Sequence, residues 1–184
     1  MTANDNNEIP VPVDDGACDH LSGLGLPDVA LNTTDGNSVN FSRLDGLVVI
    51  FIYPRTGQPD VPLPDGWAQI PGAMGCTPQT CSFRDHYAEL TGLHAQVFGL
   101  STQDTAYQQE AAQRLELPYP LVSDENLQFI HALSLPTMQA AGMILGKRVT
   151  LIARDGRIDK VFYPVFPPGD NAQQVVDYLS VSTA

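Results

Sequence analysis

The chain has 184 residues, 43% of them hydrophobic, and its 21 acidic against 9 basic residues give a net charge of −12. That composition excludes wholesale disorder and suits one ordinary domain with one core. It also argues against nucleic acid as a partner, because an acidic surface repels phosphate backbones.

Residues 1–24 are rich in Asn, Asp, Gly and Pro and lack hydrophobic periodicity, so a flexible N-terminal tail is expected ahead of a single domain over residues 25–184. Met1–Pro12 carries neither a basic nor an apolar stretch, so no export signal is expected. Val29–Leu31 and Val39–Phe41 flank a turn-rich cluster from Thr33 to Asn37 and read as a hairpin. Leu47–Tyr53 is the longest apolar run, and its seven residues read as a central strand buried on both faces. A bilayer span needs about twenty such residues, so no membrane segment is expected. Between Pro54 and Cys76 come Pro59, Pro62, Pro64 and Pro71, with Gly57, Gly66, Gly72 and Gly75 among them. Compact domains rarely keep connections beyond roughly 12–15 residues, so residues 57–72 read as an inserted loop, holding the sole tryptophan, Trp67.

A helix follows, with Thr77 as its expected N-cap and Pro78 as its first helical residue. Phe83, Tyr87 and Leu90 recur on one face of it, ready to pack on a sheet. Val97–Leu100 and Leu121–Val122 read as strands, and Asp104–Leu115 and Leu127–Leu133 as helices. Arg148–Ala153 and Arg157–Tyr163, joined by Arg154-Asp155-Gly156, carry the strongest hairpin signal, and Ala172–Leu179 closes as a helix. Strands alternating with helices predict an α/β fold, a central sheet flanked by helices.

Three cysteines, Cys18, Cys76 and Cys81, are too few and too odd in number for a disulfide scaffold. With no export signal expected, they point to a reducing compartment, the cytoplasm, where a cysteine pair more often does chemistry. Cys76 lies at the start of the expected helix, where the macrodipole and free N–H groups stabilise negative charge. The thiolate is the nucleophilic form, so Cys76 is expected to be reactive, ionised and open to solvent. On an intact helix Cα atoms five residues apart lie roughly 8–9 Å from each other. A disulfide needs them within about 7 Å. Cys76 and Cys81 therefore cannot join until the first helical turn unwinds. Cys18, in the expected tail near His20, reads as incidental. The histidines (His20, His86, His94 and His131) show no ligand spacing, so no metal is expected. Gly23-Leu24-Gly25 lacks the context of a dinucleotide fingerprint, and no phosphate loop is present, so no cofactor is expected either.

Tyr53-Pro54, the stretch Gly75-Cys76-Thr77-Pro78-Gln79-Thr80-Cys81-Ser82-Phe83-Arg84-Asp85, and Arg148-Val149-Thr150-Leu151-Ile152 ahead of Asp155-Gly156 together resemble a peroxiredoxin of the Q-type (bacterioferritin comigratory protein) subgroup. The likeness runs from about Leu26 to the C-terminus. It implies a thioredoxin-like fold and thiol-dependent reduction of hydrogen peroxide or alkyl hydroperoxides by a monomer or weak homodimer. Electrons would come from thioredoxin or a glutaredoxin-like dithiol protein. The resemblance makes Cys76 the peroxidatic cysteine, Cys81 the resolving one, and Cys76–Cys81 the redox-active disulfide. It makes Arg148 the strand arginine that holds the thiolate and polarises the peroxide. Two positions depart from the pattern. Ala73 stands where the family has Thr or Ser three residues before the nucleophile. Thr56, just after Pro54, is expected to take that place, with the insertion bulging out between Thr56 and Gly72 and Trp67 forming a lid. Gln79 stands where the subgroup usually has Glu and is expected to hydrogen-bond Arg148 in its stead. Two other readings stay open: an oxidoreductase of protein disulfides, which the Cys-x4-Cys spacing speaks against, and a non-catalytic redox-sensing or binding domain on the same scaffold.

Overall fold

A computed structural model describes residues 9–182, and among them the backbone forms nine strands and five helices. In chain order these are β1 (Leu31–Thr33), β2 (Ser38–Val39), β3 (Leu47–Ile52), α1 (Cys76–Asp85), α2 (Tyr87–Gly92), β4 (Ala95–Ser101), α3 (Thr105–Arg114), β5 (Leu121–Ser123), α4 (Gln128–Ala132), β6 (Thr137–Ala140), β7 (Met143–Gly146), β8 (Val149–Arg154), β9 (Arg157–Phe162) and α5 (Asn171–Ser182). Seven strands make one mixed sheet, ordered β2-β1-β5-β4-β3-β8-β9, while β6 and β7 form a separate hairpin. Strands β3, β4 and β5 run parallel, and β8 runs antiparallel to β3. No helix among the described residues is long and apolar enough to cross a membrane.

Strand β3 is central because all six of its residues are apolar, and only a strand covered on both faces buries them all. Alternate side chains feed two cores. Val48, Ile50 and Ile52 join Phe41, Phe129 and Ile130 on one face, and Val49 and Phe51 join Phe83, Leu90 and Val175 on the other. Phe51 stacks on Phe83 with ring centroids 4.3 Å apart, which docks α1 on the sheet. The neighbouring Gly99 of β4 makes room for it, since a Cβ there would lie 2.6 Å from Phe51 Cζ.

Four local expectations change. The first hairpin sits closer to its turn than expected, because the ladder pairs Leu31 with Val39 and Asn32 with Ser38 and leaves Val29 and Phe41 outside it. Helix α1 starts at Cys76 with Gly75 as its N-cap, not at Thr77. Gly75 sits at φ +101°, and a Cβ there would meet Pro168 Cγ at 2.5 Å, so position 75 demands glycine on both counts. Pro78 becomes the third helical residue, still in the first turn where an absent N–H costs nothing. The helical face of Phe83, Tyr87 and Leu90 is split between α1 and α2, which break at His86. Strands β6 and β7 carry no expectation at all. Their turn is Ala141-Gly142, both at positive φ, without the Asn-Gly or Asp-Gly pair that marks such hairpins in sequence.

The expected tail needs a larger correction. Residues 1–8 lie outside the described residues, and residues 9–24 form no helix or strand. Yet Cys18 and Leu21 are buried in the core beside Leu26 and Ile158, and Gly25 pairs with Arg157 of β9. Cys18 and Leu21 stand in a stretch with no periodicity to reveal them, so composition alone reads the segment as free. The inserted loop, by contrast, holds no regular element beyond one 3-10 turn at Trp67–Gln69.

Candidate active site

The register of β3 against β8 builds the site. Val149 lies opposite Ile52, so Arg148 arrives beside the residues that leave β3, Tyr53-Pro54-Arg55. The first residue of α1, Cys76, comes to the same point. Its Sγ lies 3.3 Å from Arg148 Nη2 and 3.4 Å from the backbone N of Arg55, and its own S–H faces Ala73 O at 3.7 Å. Two donors and a helix start thus converge on one sulfur.

The sulfur is not open to solvent as expected: Cys76 is only 4% exposed. Cys76 belongs to the core cluster that holds Phe51, Tyr53 and Phe83. Ala73 is itself buried in a cluster with Trp67, Ala140 and Leu145, onto which Met74, Met138 and Met143 pack. That cluster joins the loop to the hairpin of β6 and β7.

Arg148 is 3% exposed, and every fixed partner it has is neutral. Nη2 also donates to Gly72 O at 3.2 Å and Met74 O at 3.1 Å, and Nη1 donates to Gln79 Oε1. None of the ion pairs among the described residues involves Arg148. A buried guanidinium without a counter-charge is costly, by several kcal/mol in order of magnitude. The sulfur of Cys76 is the nucleophilic atom within its reach.

A relay of amides holds that arginine. Gln79, one turn into α1, turns its carbonyl to Arg148 and donates through Nε2 to Asn171 Oδ1 at 3.0 Å. Thr150 Oγ1 of β8 donates to the same Asn171 oxygen at 2.6 Å. Gln79, Thr150 and Asn171 are all fully buried. Each amide orientation follows, because Arg148 has only donors and must meet an acceptor. Asn171 is a residue that sequence reasoning missed; it lies 92 positions from Gln79, and no local pattern links the two.

Thr56 does not take the place expected of it. It is fully buried, but its Oγ1–H donates to Gln103 Oε1 at 3.3 Å, and no hydrogen bond joins it to Cys76. Its backbone is tied to the same side chain, with N–H to Oε1 at 3.1 Å and O receiving Nε2 at 3.2 Å. The parallel pairing of β3 and β4 brings these two chain exits together. The donor toward the sulfur is instead the main-chain N–H of Arg55, which the side-chain pattern does not show.

Cys81 is half-buried, and Cys18, Cys76 and Cys81 are all free. Helix α1 is unbroken from Cys76 through Cys81, so the two thiols sit apart as helical geometry requires. The turn between them is pinned. Thr80 Oγ1 donates to Cys76 O at 2.7 Å, and the buried Tyr119 OH donates to Thr80 O at 2.6 Å. Joining the thiols must break these bonds along with those of Gln79. Among the described residues no group of three His, Cys, Asp or Glu could hold a metal ion.

Comparison with known proteins adds three findings. The family model described as Redoxin matches residues 21–179. "Peroxiredoxin Q, chloroplastic" of Suaeda salsa is 28% identical over 154 residues, covering 83% of this chain and 64% of that protein. The chain thus spans less than two thirds of the length of this relative. Among solved structures, Peroxidoxin BcpB from Mycobacterium tuberculosis superposes with a TM-score of 0.71 at 24% identity, over 88% of this chain and 98% of that one. The Xanthomonas campestris bacterioferritin comigratory protein gives 0.69 at 20% identity, with the same two coverages, 88% and 98%.

Proposed function

The chain belongs to the Redoxin family and shares the thioredoxin-like fold of its peroxiredoxin neighbours, and on that premise we propose that it is a thiol-dependent peroxidase. The observation that carries this reading is the pairing of Cys76 Sγ with Arg148 Nη2 at 3.3 Å, where no carboxylate competes for the guanidinium. The Cys76 thiolate attacks one oxygen of the peroxide, an S–O bond forms and the O–O bond breaks. The leaving oxygen takes up a proton and departs as water or an alcohol. Nη2 of Arg148 and the N–H of Arg55 stand where negative charge develops, at no cost of reorganisation. The Cys76 sulfenic acid then loses water to the Cys81 thiol as a disulfide forms, once the first turn of α1 has unwound. A dithiol protein, thioredoxin or glutaredoxin-like, takes over the disulfide by exchange and restores both thiols.

The substrates are hydrogen peroxide and alkyl hydroperoxides; alkyl peroxide reduction is an activity named for the Xanthomonas campestris protein. A chain that closes its cycle with its own two cysteines needs no second copy, which suits a monomer or weak homodimer. A reducing compartment such as the cytoplasm suits a cycle that begins and ends with free thiols, although the plant relative is named as chloroplastic. Trp67, packed in the cluster with Ala73, serves as the lid over Cys76, so its fluorescence changes when the thiol is oxidised.

The test is NADPH consumption in the presence of thioredoxin and its reductase. Consumption that requires both peroxide and Cys76 supports the reading. A Cys76 that reacts with peroxide no faster than free cysteine would sink it.

A further inference from the structure

A cleft of about 470 Å³ stands apart from the sulfur, since Cys76 is not among its lining residues. It opens at the carboxyl ends of the three parallel strands. Arg55 follows β3, Asp104 follows β4, Glu125 and Leu127 follow β5, and Met143 and Ile144 of β7 supply the facing wall. The carboxyl ends of parallel strands are where open α/β sheets receive ligands. Arg55 joins this cleft to the sulfur, because its main-chain N–H donates to Cys76 Sγ at 3.4 Å while its guanidinium lines the cleft.

The charges of the cleft are unspent. The half-buried Arg55 forms none of the ion pairs among the described residues. Its Nη1 donates to Met143 Sδ at 2.8 Å, and the group lies 5.2 Å over the Tyr107 ring. A thioether and an aromatic face are weak partners for a group with five N–H donors. Glu125 has no hydrogen-bond or ion-pair partner among the described residues. Asp104 uses one oxygen to cap α3 through Tyr107 N at 2.8 Å. Ile144 leaves an apolar side chain 44% exposed at the rim. The lining therefore offers one cation and two carboxylates outside every ion pair among the described residues, Glu125 alone of the three charged groups without a hydrogen bond, and an apolar wall.

Building on the peroxidase reading, we propose that this cleft receives zwitterionic organic hydroperoxides: amino acids or short peptides oxidised on an aliphatic side chain. The carboxylate pairs with Arg55 and the ammonium with Glu125. The side chain runs along Leu127 and Met143, and the hydroperoxide end turns toward Cys76. An uncharged hydroperoxide would leave Arg55 and Glu125 both unmatched, and a fatty-acid hydroperoxide would meet Arg55 but bring no ammonium to Glu125. The step balances as before: S–O forms, O–O breaks, the sulfur loses two electrons, and the organic alkoxide takes one proton to leave as the side-chain alcohol.

Two measurements test this. Without peroxide, leucine added to the reduced protein shifts the amide resonances of Arg55, Glu125 and Leu127, and N-acetyl-leucine methyl ester does not. With peroxide, leucine hydroperoxide oxidises Cys76 with a kcat/KM about tenfold above that of the hydroperoxide of N-acetyl-leucine methyl ester. That ratio collapses toward one in Arg55→Met and falls in Glu125→Gln. Equal rates for the two hydroperoxides in the unsubstituted protein overturn the proposal, as does a ratio that survives both substitutions. A fatty-acid hydroperoxide that outruns leucine hydroperoxide overturns it as well. Should Arg55→Met not fold, the exposed Glu125→Gln decides alone. If hydrogen peroxide itself leaves Cys76 unoxidised, the peroxidase reading has failed instead, and the leucine shifts still report on the cleft.

Discussion

Two thiols of this chain are hidden to nearly the same degree, Cys18 at 6% exposure and Cys76 at 4%, in opposite surroundings. Cys18 is held in the N-terminal segment, where burial first, and then the carboxylates of Asp15, Asp14 and Asp19, push its thiol up to about 12. Cys76 faces a guanidinium, a main-chain N–H and the first turn of a helix. Burial is common to both sulfurs, so what separates them is the charge of the neighbours. In a chain of net charge −12, the decisive feature is an arginine kept clear of carboxylates.

The comparison breaks most simply at the sulfurs themselves. Cys76→Ser removes all peroxide-dependent NADPH consumption, while Cys18→Ser keeps it within about twofold, as expected of a side chain that touches nothing in the site. Iodoacetamide at neutral pH, followed by mass mapping, labels Cys76 and leaves Cys18 unmodified over the same time. A Cys18 that labels as fast would mean that its carboxylates do not act on it. Next in size is the arginine. Arg148→Met lowers the rate of Cys76 oxidation by about 10²–10³-fold, the usual loss for one preorganised donor at a developing charge. Arg148→Lys does not rescue it, because an ammonium cannot meet Gln79, two carbonyls and the sulfur at once.

Smaller effects follow from the amide relay. Gln79→Glu sets a carboxylate against Arg148 and divides a charge now directed at the sulfur. Alkylation of Cys76 at pH 7 then slows by about three- to tenfold, the scale of a carboxylate near a charged pair. Asn171→Ala leaves Gln79 Nε2 and Thr150 Oγ1 buried without an acceptor, which costs about 1–3 kcal/mol in urea unfolding. An Asn171→Ala protein as stable as its parent would show that the relay is not holding Arg148.

How much of this could be read in the chain depends on range. The seven apolar residues from Leu47 to Tyr53 and the Asp155-Gly156 turn carry local signals, and they place β3 and the β8–β9 hairpin. From those two elements the meeting of Arg148 with the exit of β3 follows, because the antiparallel partner of β3 that continues into the hairpin must begin beside that exit. The Cys76–Cys81 spacing likewise carries its own geometry, and α1 keeps the two apart. What was hidden is either main-chain or distant. The Arg55 N–H has no side-chain signature, and Thr56 is claimed by Gln103, 47 positions away. Asn171 looks like any helix start until β8 and α1 are brought against it. Leu21 anchors a segment that has no hydrophobic periodicity. Trp67 meets the hairpin of β6 and β7, whose short strands alternate too weakly to be seen.

The last and smallest effect reads the Cys18 side of the comparison through stability. An ordinary cysteine thiol ionises near 9, whereas in the folded chain that of Cys18 is pushed up to about 12. Between those values the folded state keeps a proton that the unfolded state has released, so the folded state binds more protons. Stability must therefore fall as pH rises through that window, and it is unaffected by this group below it. Tyr163 adds to the same slope, since burial and then Asp15 raise its hydroxyl from an ordinary value near 10, but its share begins about one pH unit later. The interval between about pH 9 and 10 thus belongs mainly to Cys18. Urea unfolding of Cys18→Ala across pH 7 to 10 should show a constant offset from the lost packing and a flatter alkaline slope. Parallel slopes through pH 10 would mean that Cys18 ionises as readily folded as unfolded, and the contrast between the two buried thiols would lose its electrostatic cause.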